Sequence, residues 1–350
     1  MCYNKFMNVV GVITEYNPFH KGHLINLEYA KKEGDLVIVL MTGNFNQRGN
    51  FSLINKFKKA DTGIYYGADI VVELPFPYSL ESSDYYSKAA LYLLNELKIN
   101  KLVAGTESGD VKKLKSLALK SINLKKNNKL SLKENFSHYT LPNDTLAISY
   151  LKEIIKNNYK IEFITYKRDN GYLKSSTYIR NNLSNFKKLE SIIPPYSLNY
   201  LKDYKEIDIF NYLKYKILSE NDLSIYHLAG DGLSFKIKKE INKASSLDDL
   251  IKRLKSKRYN ENRIRKTLIF ILLNFKSSDK TELPSYIRVL GFNKKGRKYL
   301  KNIKDETNIP IVSNISDDDF YKLEKETDRI YYFLKNEDIK NYLNKPIIYK

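Results

Sequence analysis

Five apolar residues, Val9-Val10-Gly11-Val12-Ile13, run straight into Thr14-Glu15-Tyr16-Asn17-Pro18-Phe19-His20-Lys21-Gly22-His23. The run predicts a buried strand, and the proline-bearing stretch predicts the turn that ends it. Beyond the turn Leu24, Leu27 and Ala30 recur every three residues, Lys31 and Lys32 follow, and Gly34 closes the pattern. That is the signature of a short helix. A strand–loop–helix junction of this kind turns unpaired backbone N–H groups toward an anion. Two imidazoles there can hydrogen-bond phosphate oxygens, and Gly22 leaves room for close approach. The chain has four histidines, and two of them stand in this motif; His138 and His227 stand apart. His20 and His23 have a metal-ligand spacing, but no nearby cysteine or acidic cluster completes a zinc shell, so no metal site is expected.

The alternation continues downstream. Residues 35–41, 68–74, 101–104 and 160–166 read as further strands, with helices over 56–66, 82–97 and 142–157. Pro142, Asn143 and Asp144 supply the start signal of the last helix. This pattern predicts right-handed βαβ units and a Rossmann-like, parallel α/β sheet. Ligands on such a sheet lie beyond the carboxyl ends of the strands. The His20–His23 loop, the Gln47-Arg48-Gly49 loop and the loop at Gly105 all reach that edge. Residues 175–180 open another helix, and Pro194-Pro195 marks a boundary. The expected organisation is a domain over 1–190 and a mostly helical, basic domain over 191–350, with helices over 201–218, 246–254, 262–273 and 318–334.

Charge separates the two parts. The 350 residues carry 60 Lys+Arg against 40 Asp+Glu, a net charge of +20. Residues 1–100 hold ten of each sign, so residues 101–350 hold 50 basic against 30 acidic. A neutral front and a basic back predict that the back meets a polyanion. Lys252, Arg253, Lys257, Arg258, Arg263, Arg265 and Lys266 form one dense cluster, and Lys295 and Arg297 belong to a second. The competing reading is a lysine-rich solubilising surface. One cysteine, Cys2, excludes a disulfide framework. No apolar run approaches the roughly 20 residues that span a bilayer, and residues 1–7 are too polar for a signal h-region. The expected location is cytoplasmic.

Gly11 to His23 resembles the His-x-Gly-His signature of the nucleotidyltransferase superfamily. Glu15-Tyr16-Asn17-Pro18-Phe19-His20, Gln47-Arg48-Gly49, Gly105-Thr106-Glu107, Pro142-Asn143, Lys167-Arg168 and the stretch Ser175 to Arg180 occur in the order found in bacterial tRNA(Met) cytidine acetate ligases. So does Tyr286-Ile287-Arg288-Val289-Leu290-Gly291-Phe292 with Lys295-Gly296-Arg297. The resemblance covers most of the chain. Asp144 and Ala147 stand where that family usually has Asn and Gly.

The resemblance implies that ATP and acetate give acetyl-adenylate, whose acetyl group passes to N4 of the wobble cytidine of elongator tRNA(Met). It implies that His20 and His23 stabilise charge on the triphosphate. The nucleotide is then wrapped by Ile13, Thr14, Glu15, Tyr16, Asn17, Pro18, Phe19, His20, Lys21, Gly22, His23, Leu24, Ile25 and Asn26. Gly105, Asn143, Arg168 and Asp169 match the family's other ATP contacts. Ser175, Ser176 and Thr177 are candidate phosphate ligands at a helix start, with Arg180 one turn on; Arg48 and Lys56 are candidates for phosphate or tRNA. Mg2+ is expected to accompany ATP. Two other readings share these residues: a small-molecule adenylyltransferase of the same superfamily, and an RNA-binding module without catalysis. The chain offers no motif for a catalytic nucleophile.

Overall fold

Strand Leu36–Thr42 is apolar at nearly every position, so both of its faces need cover. Its neighbours are Val9–Thr14 (β1), which precedes it, and Ile70–Leu74 (β3), with Leu36–Thr42 itself as β2. Helices Lys21–Glu33 (α1) and Lys56–Tyr65 (α2) cover one face, where Val37, Val39 and Met41 pack with Leu27, Ala30, Phe57 and Ala60. Helices Ser83–Glu96 (α3), Val111–Asn123 (α4) and Pro142–Lys156 (α5) cover the other, where Leu36, Ile38 and Leu40 meet Leu93, Leu94, Leu114 and Leu151. The structure is a computed structural model that describes residues 7–123, 141–168, 176–183, 185–202, 204, 206–316, 319–343 and 345–349.

Strands Lys101–Thr106 (β4) and Glu162–Lys167 (β5) complete a five-stranded parallel part in the order β5-β4-β1-β2-β3. The chain leaves β1 toward β2 and β3, then returns to lay β4 on the other side of β1. The strand order reverses there, which opens a crevice at the carboxyl ends of β1 and β4.

The sheet does not stop in the first half of the chain. Ile287–Phe292 (β6) pairs antiparallel with β3, and Ile311–Val312 (β7) and Ile347–Ile348 (β8) pair with β6. The sequence predicts a mostly helical chain beyond residue 194 and names no strand there. It missed β6 because Ile287, Val289 and Leu290 are interrupted by Arg288, a charge that is buried here.

The second half is otherwise helical. Short helices Ser176–Arg180 (α6), Phe186–Glu190 (α7) and Pro195–Asn199 (α8) lead to Phe210–Ser219 (α9), Leu233–Glu240 (α10), Leu247–Leu254 (α11) and Glu261–Leu272 (α12). Leu213, Ile217, Leu233, Ile237, Leu250, Leu254, Ile264 and Leu268 form their common core. The helix expected over 201–218 begins only at Phe210, where Asp208 accepts the Phe210 N–H at 2.9 Å in a local turn just ahead of the N-cap Ile209. Helices Lys294–Ile303 (α13) and Lys322–Leu334 (α14) return to the sheet. Phe45, Phe76 and Leu80 pack with Phe270, Phe275, Tyr331 and Tyr332, so an apolar seam joins the helices to the sheet edge.

Candidate active site

The turn after β1 delivers His20 as the N-cap of α1. Its Nδ1 accepts the Gly22 N–H at 3.0 Å, and the Nδ1 of His23 accepts the His20 N–H at 3.2 Å. A nitrogen that accepts from a backbone N–H carries no proton of its own. In each neutral ring the proton therefore sits on Nε2. The rings stack with centroids 3.9 Å apart and planes 26° apart, so two Nε2–H donors lie side by side at the positive end of a helix. Burial, then the charges of Arg168 and Arg180, pulls the His20 pKa down to about 4. Burial, with the charges of His20, Arg168 and Lys59, holds His23 well below its usual value. Both rings are neutral donors at neutral pH, and anionic oxygens are the partners that such a pair suits.

Aromatic rings hold the pair in place. Tyr16 meets Phe19 and His23 edge-on at 4.8 and 4.9 Å, and Phe19 stacks on Tyr66 at 4.9 Å. The backbone of Tyr16 takes φ 45°, an uncommon conformation for a bulky residue. Below the turn, Glu15 accepts the Gln47 N–H at 2.9 Å, and Asn17 Oδ1 accepts the Leu53 N–H at 2.8 Å. The loop after β2 thus carries the loop after β1.

The far wall comes from β4 and β5. The Glu107 carboxylate accepts from Asn143 N, Asn143 Nδ2 and Asp144 N, at 3.2, 2.7 and 2.8 Å. Asp144 Oδ1 accepts in return from Glu107 N, Ser108 N and Ser108 Oγ, at 3.0–3.1 Å. A carboxylate at 144 serves three donors with no N–H of its own left over, which suits Asp at this position. Asn143 Oδ1 then accepts from Arg168 at 3.2 Å. A Cβ on Gly105 would meet Tyr166 Oη at 2.7 Å, and Tyr166 stacks face to face on Tyr29 at 4.0 Å. From the opposite side Arg180 donates to the Asn17 carbonyl at 3.3 Å. The crevice is edged by two imidazoles, a helix N-terminus and two arginines.

Known proteins are similar to this chain along most of its length. The family model described as HIGH Nucleotidyl Transferase matches residues 7–345. A tRNA(Met) cytidine acetate ligase of Caldicellulosiruptor saccharolyticus is 35% identical, with 86% of each chain covered. One from Clostridium perfringens is 34% identical over 98% of this chain and 100% of the relative. One from Oenococcus oeni is 36% identical over 88% and 90%. The chain belongs to the tRNA(Met) cytidine acetate ligase family. A solved structure titled Thermotoga maritima TmcAL bound with alpha-thio ATP is similar at a TM-score of 0.87 and 25% identity, over 98% of this chain and 100% of that one.

Within this family member the structure gathers His20, His23, Gly105, Asn143, Arg168 and Arg180 at one crevice. Asp169 and Ser175 lie outside the described residues, as do the side chains of Ser176 and Thr177; so does His138. Arg48 is exposed on the loop after β2; burial first, and then the Arg48 charge, lowers the pKa of Arg180. Lys56 is a correction. Its ammonium is fully buried, 2.8 Å from Glu73 and 2.6 Å from both Glu324 and Asp328. Burial alone would lower its pKa, but the Asp328, Glu324 and Glu73 carboxylates outweigh burial and keep it charged. All three of these ammonium contacts are to buried carboxylates. Lys266 is also buried, donating to the Glu81 carbonyl at 2.8 Å, so it is no surface contact. Arg263 pairs with Asp231 and Arg265 with Glu261 and Asp248, at 3.0–3.3 Å. Lys252, Arg253, Lys257, Arg258, Lys295 and Arg297 are exposed.

Sequence reasoning missed Lys59. It is fully buried and donates to the carbonyls of Thr42 and Gly43, at 2.7 and 2.8 Å, and to Ser52 Oγ at 3.3 Å. Burial pushes its pKa down to about 7 against the pull of Glu15 and Glu73. Nothing in the local sequence distinguishes Lys59 from its neighbours Lys56 and Lys58; only the apolar residues around it could have argued for burial. His227 is structural, holding Glu81 at 2.8 Å between the helices and the sheet.

Proposed function

We propose that this protein is an ATP-dependent ligase that activates acetate and acetylates N4 of the wobble cytidine of elongator tRNA(Met). The observation that carries the reading is the pair of neutral Nε2–H donors on His20 and His23, side by side at the α1 N-terminus in the crevice between β1 and β4. The family names and the relative titled as bound with alpha-thio ATP support ATP as the nucleotide.

The chemistry is positioning and charge stabilisation. An acetate oxygen bonds to the α-phosphorus of ATP, the bond from that phosphorus to the β-phosphate oxygen breaks, and pyrophosphate leaves. The cytidine N4 amine then attacks the acetyl carbon, the bond to the AMP oxygen breaks, and the amine loses a proton. His20 and His23 donate to phosphate oxygens as charge builds on them, with the segment 13–26 around the nucleotide. Arg168, held by Asn143, and Arg180 add fixed positive charge, with Gly105 leaving space beside them. Asp169, Ser175, Ser176, Thr177 and Arg48 complete the proposed phosphate contacts. Among the described residues no three His, Cys, Asp or Glu side chains gather as a metal site, so we place Mg2+ on the triphosphate rather than on the protein. Residues 1–190 carry the adenylation chemistry in this reading, and the exposed lysines and arginines of 191–350 hold tRNA phosphates. No helix of the described residues is long and apolar enough to cross a membrane, and a cytoplasmic setting belongs to the proposal.

The test is direct. Unmodified tRNA(Met) incubated with the protein, ATP and acetate should yield N4-acetylcytidine at the wobble position by nucleoside mass spectrometry. Omitting acetate or ATP should abolish it. Product formed without acetate would contradict the proposal.

A further inference from the structure

Helix α14 and the residues just after it lie far along the chain from the loop after β2, with contacting residues 279 to 284 positions apart, yet they grip that loop along its length. Asn44 donates to Asp328 at 2.7 Å, Tyr331 donates to the Ser52 carbonyl at 3.0 Å, and Lys335 donates to the Leu53 carbonyl at 3.0 Å. Asn55 donates to Glu337 at 3.0 Å. Next to these, the Lys56 ammonium bridges Glu73 of β3 to Glu324 and Asp328 of α14. The loop is held from its other side by Lys59, which donates to Gly43 and Ser52.

The loop has its own cargo. Its Gln47 N–H holds Glu15 and its Leu53 N–H holds Asn17, the two residues that shape the turn into His20. A Cβ on Gly43 would fall 1.9 Å from Glu73 Oε1, so the loop backbone rests directly on the ion cluster and has no slack there. Backbone position therefore passes in two steps: from α14 to residues 52–53, and from residue 53 to Asn17. A loop that must hold a reacting pair in line loses rate steeply when displaced by about 1 Å.

We infer that Tyr331 and Lys335 at the end of α14 are positioning residues for adenylate formation, setting the loop 43–55 and through it the turn that carries His20 and His23. They act through the loop and touch no substrate. The inference rests on the proposed adenylation. It assigns to the second half of the chain a part in the first step, separate from holding tRNA. Lys335 is half-buried over the Tyr204 ring at 4.5 Å, and burial pushes its pKa down to about 8, against the pull of the Glu337 carboxylate and with a smaller push from the Lys58 charge. Its hold on Leu53 therefore weakens in mild alkali as the ammonium loses its proton.

The experiment uses the full chain without tRNA and follows acetate-dependent ATP–pyrophosphate exchange. Lys335→Met keeps the stem and removes the donor; Lys335→Arg keeps a charged donor. We expect Lys335→Met to lower kcat/KM for ATP by about tenfold or more, and Lys335→Arg to recover most of it. Retention of tRNA should be unchanged in both. Tyr331→Phe should give the same loss, but Ser52 is buried there, so Lys335→Met is the decisive variant should Tyr331→Phe fail to fold. The alkaline fall of exchange in the unaltered protein should move upward in Lys335→Arg, which a purely structural role would not produce. Wild-type-like exchange by Lys335→Met, with or without a lowered melting temperature, overturns the inference. Absence of acetate-dependent exchange in the unaltered protein overturns the proposed function instead, so the two failures are distinct.

Discussion

His20 and His23 each commit Nδ1 to a backbone N–H, which keeps Nε2–H for a ligand and makes the protonated ring costly. His20 has a folded pKa of about 4. In the unfolded chain it titrates near about 6.5. The unfolded state therefore binds more protons between those values, and stability is lost as pH falls from about 6.5 to about 4, by roughly 3 kcal/mol at most. Above about pH 6.5 this residue contributes no pH dependence. His20→Gln, which cannot protonate, should show a shallower loss of urea midpoint across that window. Equal slopes in the two proteins would contradict the buried neutral assignment. At this scale the sequence was informative where a residue type has few alternatives. Two of four histidines flanking a glycine at a helix start left little else to conclude. Lys56, Lys59 and Lys266 were opaque, because a lysine in a helical run looks solvated until its partners arrive from strands and helices far away in the chain.

The element that departs most from its local pattern is β6, where Arg288 sits fully buried among apolar neighbours beside the Lys56 cluster. Period-two and period-3.6 patterns mark surfaces, and a strand with an internal charge satisfied by tertiary partners carries neither. Strands β1, β2 and β3 were legible for the opposite reason, since their apolar runs need cover on both faces. Lys56 is the residue that fastens α14 to β3. Lys56→Met would leave Glu73, Glu324 and Asp328 buried together without their shared cation. It should lower stability by about 3–5 kcal/mol in urea unfolding. A loss below about 1 kcal/mol would mean that the cluster is not what docks the helix. Gly296 in α13 is a second fastening, because a Cβ there would meet the Asp69 carbonyl at 2.1 Å. That contact gives the glycine of Lys295-Gly296-Arg297 a packing role, whatever its flanking charges bind.

Across the whole molecule, charge and chemistry are distributed differently. The first hundred residues are neutral and supply His20 and His23; the net +20 lies beyond them. The logarithm of the tRNA binding constant should fall linearly with the logarithm of salt concentration, with a slope of about −0.7 to −0.9 per phosphate contact. Reversing Lys252, Lys257 and Arg297, all exposed, should weaken retention and flatten that slope, whereas Lys266→Met should leave the slope unaltered because Lys266 is buried. An unchanged slope after the triple reversal would show those residues to be solubilising surface. The proposed division into a nucleotide part and a tRNA-holding part rests on charge and proline placement. The grip of α14 on the loop after β2 was not readable, because each of its contacts joins residues some 280 positions apart. The measurement that bears most directly on the central claim is ATP–pyrophosphate exchange without tRNA. Label should enter ATP only when acetate is present, and His23→Ala should lower the rate by about 10² or more while tRNA retention persists. Exchange that ignores acetate, or that survives His23→Ala undiminished, would contradict the assignment of acetate activation to this crevice.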